Sequence, residues 1–210
     1  MCISAEVSIS GFIICSVTCI YLYKRNKIND RWVAILFGYF GIMQFLEYLM
    51  WIDQKCSGLN QMATDMGFLH NIMQPIISIL VAYLMIKNVP KWIYIPLLLY
   101  LVYSLPKIWM MKDKNQCSKP CSKKNIGLSW NYTNTDNPRI VWLIFALALA
   151  IPFLAMEKNG LLYFSLMMAI YIISYFIAQN RCKGSVNPSQ GSWWCLMAVL
   201  FPLSAIFINK

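Results

Sequence analysis

The sequence has few charged residues. Asp, Glu, Lys and Arg make up 12% of its 210 residues, whereas 59% are hydrophobic. A soluble domain of this length carries about a quarter charged residues, so the composition excludes an ordinary water-soluble fold and indicates a protein whose solvent is lipid. The formal charge of +10 comes from basic residues between apolar runs, where they contact lipid headgroups and set orientation. We expect the lipid bilayer as a partner and no nucleic acid.

Residue types that catalysis needs are also scarce. The chain has one histidine, His70, and eight acidic residues, too few for an intramembrane metal hydrolase. The sequence contains no Gly-x-Ser-x-Gly, no phosphate-binding loop, no dinucleotide fingerprint and no Cys-x-x-Cys. The five aspartates are in or beside predicted loops, which disfavours an intramembrane aspartyl protease: Asp30, Asp53, Asp65, Asp113 and Asp136. We therefore expect no enzyme, no metal and no cofactor.

Seven apolar runs are near the length needed to cross a bilayer, which takes about 20 residues at 1.5 Å per residue. They predict an all-α polytopic membrane protein, a single domain over 1–210 that forms a bundle of seven transmembrane helices. The longest connection, 112–138, is too polar to enter lipid. The predicted helices are 5–23, 32–52, 66–87, 92–111, 139–156, 161–179 and 193–208.

Seven crossings place the two termini on opposite sides, which we call side A (N-terminal) and side B (C-terminal). The turn after the first helix carries Lys24, Arg25, Lys27 and Arg31, whereas no basic residue precedes that helix. By the positive-inside rule we expect side B to be cytoplasmic and side A to be lumenal or extracellular.

Cysteines favour the same orientation, because disulfides persist in oxidising compartments and the loops of side B contain none. A glycosylation sequon at Asn131 is on side A as well. The spacing of Cys117 and Cys121 also fits half of a zinc site, but the other half would need single cysteines from other loops. We favour disulfides, in a membrane of the secretory pathway or the plasma membrane. The disulfide candidates are Cys56, Cys117, Cys121, Cys182 and Cys195.

Several polar side chains lie within predicted helices, where an ionisable group is a functional hypothesis by default. Glu47 and His70 each lie about five residues from side A on consecutive helices, so we expect them to face each other. Gln44 and Gln74 would face each other one turn deeper, with Asn71 beside His70. Lys107 on the fourth helix would supply a countercharge, although snorkelling to the headgroups explains it too. We expect the mouth of this cavity to be formed by Trp51, Asp53, Asp65, Trp193 and Trp194.

These residues support three functional hypotheses. The first is a transporter or channel for a proton, a cation or a small solute, with Glu47 and His70 lining a cavity open to side A. The second is a ligand- or lipid-binding sensor without transport, whose pocket lies under the cysteine-stapled loop. The third is a structural membrane protein. A homo-oligomer is compatible with each hypothesis.

Seven helices with an outside N-terminus resemble the topology of retinal proteins and of G-protein-coupled receptors. The last predicted helix has no lysine before Lys210 to bind retinal as a Schiff base. Receptor-type Asp-Arg-Tyr and Asn-Pro-x-x-Tyr motifs are absent as well. The resemblance therefore ends at topology, and retinal is not expected.

Overall fold

The computed structural model describes residues 4–86, 89–110, 117–121, 127–130, 138–181 and 186–209, and most of them are helical. Among these residues, six helical stretches are long and apolar enough to cross a membrane, and Ile140–Ala155 is a shorter apolar helix. The α-helices are α1 Ala5–Arg25, α2 Asp30–Ile52, α3 Leu59–Met85, α4 Tyr94–Leu99, α5 Leu105–Met110, α6 Pro138–Ala150, α7 Gly160–Arg181, α8 Val186–Val199 and α9 Phe201–Ile208.

Short irregular turns join some of these helices into longer stretches. A 3-10 turn at Lys91–Ile93 and a π-helical turn at Tyr100–Ser104 join with α4 and α5 into the continuous stretch Lys91–Met110. Another 3-10 turn, Ile151–Ala155, extends α6. Pro202 follows the break between α8 and α9, where its missing N–H interrupts no helical bond.

Most helix ends lie within a few residues of the sequence prediction, but two helices start seven residues earlier than expected. The third predicted helix begins at Leu59 instead of 66, and the last begins at Val186 instead of 193. Both extensions consist largely of polar residues that are typical of a loop. They are helical here, and the contacts that stabilise the first of them are described below.

Side B of the bundle is held by an ion pair between the first two helices. The guanidinium of Arg25 donates from Nε to Oδ2 of Asp30 at 2.7 Å and from Nη2 to Oδ1 at 2.8 Å. Arg25 also donates to the carbonyl oxygens of Ala205 and Ile206 at 3.1 and 2.9 Å. Asn209 Nδ2 donates to Asp30 Oδ1 at 2.9 Å. The pair therefore joins α1, α2 and the end of α9.

Aromatic rings pack next to the Arg25–Asp30 ion pair, on its inner side. The rings of Phe37 and Phe201 stack with centroids 4.3 Å apart, and Phe153 and Tyr163 pack against Phe201. The Tyr163 hydroxyl donates to Asn209 Oδ1 at 2.8 Å. This aromatic layer connects α2, α7 and α9 at one level.

We predict that Asp30→Ala lowers the free energy of unfolding by about 3 kcal/mol, because Asp30 is fully buried and its removal leaves Arg25 without its countercharge. Arg31→Ala, an exposed charge in the same turn, is the matched control and should change stability by about 0.5 kcal/mol or less. Thermal unfolding of the detergent-purified variants measures both. Equal losses of unfolding free energy in the two variants would show that the Arg25–Asp30 ion pair does not stabilise the protein.

Candidate functional site

Gln44 and Glu47 form a fully buried pair on α2. Gln44 Nε2 donates to Glu47 Oε2 at 2.9 Å. The other end of the Gln44 carboxamide faces α1, since a Cβ placed on Gly11 would lie 3.3 Å from Gln44 Oε1. Gly11 is also close to Leu196 of α8. The pair therefore lies where α1 and α8 meet α2.

His70 lies elsewhere, against a tyrosine of α2. Its ring stacks on Tyr39 with centroids 4.2 Å apart, and the Tyr39 hydroxyl donates to the His70 carbonyl oxygen at 3.1 Å. Tyr39 precedes Glu47 by eight residues, about 12 Å along the helix. Glu47 and His70 therefore do not face each other at one depth, contrary to the expectation.

The early start of α3 explains this difference in depth. The predicted start of this helix at residue 66 would place His70 about one turn below side A. With the start at Leu59, His70 is eleven residues into the helix, whereas Glu47 is five residues from the end of α2. The two helices are antiparallel neighbours, and the two side chains lie at different distances from the side A ends of their helices. They therefore cannot lie at one level.

Gln74 pairs within its own helix instead of with Gln44. Its Nε2 donates to Asn71 Oδ1 at 3.0 Å, and both side chains are buried. The expected hydrogen bond between Gln44 and Gln74 is absent from the described part of the chain, because each carboxamide bonds a neighbour on the same helix.

Lys107 contacts neither the Gln44–Glu47 pair nor the Asn71–Gln74 pair. Its side chain is exposed, and its ammonium lies 3.9 Å from the centroid of the Tyr103 ring. Such an arrangement is a cation–π contact on the outer surface of the bundle. Lys107 therefore supplies no countercharge to the buried polar residues and matches the snorkelling alternative.

The connection between α5 and α6 folds back onto side A. We call its described residues, 117–121 and 127–130, the docked loop. Cys117 is disulfide-bonded to Cys56, with Cα atoms 6.0 Å apart. Strands Lys119–Pro120 and Leu128–Ser129 pair antiparallel, with Lys119 opposite Ser129. The docked loop is therefore a small hairpin tied to the link between α2 and α3.

Ser118 fixes the docked loop to the first turns of α3. Its backbone N–H donates to Asn60 Oδ1 at 2.9 Å, and Asn60 Nδ2 donates back to the Ser118 carbonyl at 3.0 Å. The Ser118 and Thr64 hydroxyl oxygens are 2.9 Å apart. Asn60 and Ser118 are fully buried and Thr64 nearly so. These bonds satisfy the polar side chains of the extended start of α3.

Asp53 stabilises the same helix start. It accepts from the backbone N–H of Asn60 and of Ser57, both at 2.9 Å, and from the Ser57 hydroxyl at 2.8 Å. The Asn60 backbone bond, followed by that of Ser57, lowers the pKa of Asp53 to about 2. Asp53 is thus an ionised capping residue at neutral pH and not a cavity mouth.

The remaining cysteine predictions have different outcomes. Cys121 is disulfide-bonded, whereas Cys195 is a buried thiol inside α8, where its side chain packs in the core. Since Cys117 is bonded to Cys56, its sulfur is not available to a zinc half-site. Cys182 and the sequon at Asn131 lie outside the described residues.

A cleft with a cavity volume of about 30 Å³ lies between α3, α6, α7, α8 and the docked loop. Among the described residues that line it, five are aromatic, two are carboxamides and none is charged. Trp130 of the docked loop fits against α8 because residue 191 is glycine: a Cβ there would lie 2.1 Å from the Trp130 ring. The lining residues are Asn71, Trp130, Trp142, Phe145, Tyr171, Gln190, Gly191 and Trp194.

Two of the residues predicted near a cavity line this cleft, Asn71 and Trp194. Trp193 is equally buried but packs toward Gly127 of the docked loop. Trp51 is half-buried at the end of α2, and Asp65 is half-buried inside α3. Sequence reasoning missed Trp130, Trp142, Phe145, Tyr171 and Gln190. The available signal for this wall was Trp130 within the polar connection, followed by Trp142 in the next apolar run.

Residues 4–131, more than half of the chain, match a family described as "Family of unknown function (DUF5765)". This region includes α1 to α5 and the whole docked loop. No curated protein matches the chain, and no solved structure matches it.

We predict that Cys56→Ser and Cys117→Ser each lower the free energy of unfolding by about 4 kcal/mol, since the bond closes a loop of 61 residues. The double variant should lose no more than either single variant, because the same bond is absent in all three. Thermal unfolding under non-reducing conditions measures the effects. Additive losses would contradict a disulfide between these two residues.

Proposed function

The chain belongs to this family of unknown function, and we propose, from its aromatic cleft, that it is an integral membrane protein that binds a small ligand on side A. We propose seven crossings, with Ile140–Ala155 as the fifth. The described loops support this, since Asn29 contacts Lys158 on side B and Cys56 contacts Cys117 on side A. The disulfides and the basic turn after α1 favour a lumenal or extracellular side A.

The observation that carries this proposal is the composition of the cleft wall. Small-molecule sites are mostly apolar and aromatic, with a few polar groups that orient the ligand. Here Trp130, Trp142 and Trp194 come from three separate elements, and Asn71 and Gln190 provide the polar groups. Aromatic side chains bury large areas, and Gly191 allows Trp130 to complete the wall.

Proton or cation transport is a second candidate, and it rests on Glu47. A carboxyl group with no exposed surface inside a membrane-spanning helix is expensive and usually functional. Its place between α1, α2 and α8 is separate from the cleft. In this candidate Glu47 exchanges the ion, whereas His70 belongs to the contact between α2 and α3.

We predict that the wild-type protein purified from its native membranes carries a small molecule that Trp194→Leu reduces at least fivefold. Trp193→Leu is the matched control, because both tryptophans are 6% exposed and only Trp194 lines the cleft. Solvent extraction and mass spectrometry quantify the bound molecule per protein. Equal amounts in wild type and Trp194→Leu would contradict a ligand in the cleft.

The transport candidate predicts that wild-type proteoliposomes dissipate an imposed pH or cation gradient and that Glu47→Gln reduces this flux at least tenfold. The control is Glu157→Gln, an exposed carboxylate on side B. Flux is followed with an entrapped pH-sensitive dye between pH 5 and 8. Flux equal to that of protein-free liposomes would eliminate transport, and unchanged flux in Glu47→Gln would eliminate Glu47 as the site.

A further inference from the structure

We propose that a cavity on side B binds the phosphodiester headgroup of a membrane lipid. The cavity has a volume of about 180 Å³, whereas a single water molecule needs only about 10–15 Å³, so a phosphate group has room to enter. In the described part of the chain it shares no lining residue with the aromatic cleft. The inference is therefore independent of the ligand proposed for the cleft.

The side B cavity lies at the level of lipid headgroups, because it forms where membrane-spanning stretches end. The helix α1 ends at Arg25, α2 begins at Asp30 and α3 ends at Met85. Asn29 Nδ2 donates to the Lys158 carbonyl oxygen at 2.7 Å and so holds the turn after α1 against the link between α6 and α7. Lipid phosphates lie just outside the hydrocarbon that apolar helices cross. A lipid in the side B leaflet therefore meets this cavity with its headgroup.

The charges of the lining match a phosphodiester. Its described residues carry two positive charges, on Lys27 and Arg31, and one negative charge, on Glu157. Within the described ranges none of the three forms an ion pair, and the Arg31 guanidinium lies 5.4 Å from the centroid of the Tyr23 ring. Arg and Lys bind phosphate oxygens through charge-assisted hydrogen bonds. The net charge of these lining residues is +1, which balances the single negative charge of a phosphodiester.

Trp32 and the start of α2 add to the affinity of the cavity for an anion. Trp32 lines the cavity and is 3% exposed, and its Nε1 N–H has no acceptor among the described residues. A buried donor without an acceptor is costly. The N-terminus of α2, a helix of 23 residues, also favours a negative charge. The carboxylate of Asp30 in this first turn is neutralised by Arg25.

Apolar side chains in the lining favour a lipid over a soluble phosphate. Ile28 and Met85 line the cavity and are 43% and 41% exposed, and Ile86, which also lines it, is half-buried. An aqueous anion gains nothing from such side chains, whereas the glycerol and acyl chains of a lipid cover them and remove apolar surface from water. The cavity therefore offers both chemistries of a phospholipid, a site for phosphate and a site for the apolar part.

The test compares two double variants that each remove two positive charges from side B. The cavity variant is Lys27→Gln/Arg31→Gln. The matched control is Lys24→Gln/Lys158→Gln, which changes exposed lysines that are not among the described lining residues. The full-length protein is purified in detergent and delipidated, and native mass spectrometry measures its affinity for dioctanoylphosphatidylglycerol. The comparison probes are dioctanoylglycerol, which has the same chains without phosphate, and inorganic phosphate.

We expect the cavity variant to bind phosphatidylglycerol about tenfold more weakly than the wild type, because it lacks two charge-assisted hydrogen bonds. The control variant should stay within about twofold of the wild type. Dioctanoylglycerol should bind the wild type about tenfold more weakly than phosphatidylglycerol does, and inorganic phosphate at an equal concentration should not displace the lipid. Since Lys27 and Arg31 are exposed, all three proteins should share one unfolding midpoint without lipid.

Four outcomes would overturn the proposal. Equal losses of affinity in the two double variants would show that surface charge in general, and not the cavity, attracts the lipid. Equal binding of dioctanoylglycerol would exclude recognition of the phosphate, and displacement by inorganic phosphate would assign the cavity to a soluble anion. Absence of lipid binding to the wild type would exclude the site. If the cavity variant unfolds at a lower temperature without lipid, the single variants Lys27→Gln and Arg31→Gln are compared instead, and unchanged affinity in both would contradict the proposal.

Discussion

The hydrogen bonds between Ser118 and the start of α3 are the interaction on which side A depends. Ser118 bonds Asn60 and Thr64 through both its backbone and its hydroxyl. Buried polar side chains need such partners, so the docked loop allows the polar residues after Gly58 to remain helical. The same loop brings Trp130 onto Gly191 and thereby closes one wall of the cleft.

Hydrophobic run length predicted most of the fold, because each membrane-spanning helix needs about 20 apolar residues. Run length fails in one way: it predicts links for the polar stretches before the third and the last predicted helix, and both stretches are helical. A local pattern cannot show that Asn60 is covered by Ser118, which lies 58 residues later in the chain. Because α3 starts earlier than predicted, His70 and Glu47 lie at different depths.

The buried polar groups fall into classes that sequence position alone could not separate. Asp30 is paired with Arg25 and Asn209 and holds helix ends together. Asp53 accepts three hydrogen bonds at a helix start. Glu47 and Gln44 lie deeper, between three helices, and Asn71 and Gln190 line an aromatic cleft. The last two classes are at different sites, since neither Gln44 nor Glu47 is among the described residues that line the cleft.

We propose above all that the docked loop completes a cleft for a small ligand. An experimental density map of the protein in lipid nanodiscs tests this claim most directly. We expect non-protein density in contact with Trp130, Trp142 and Trp194, and we expect the hydrogen bonds between Ser118 and Asn60 to remain. A cleft filled by rearranged side chains, with no density other than protein, would contradict it.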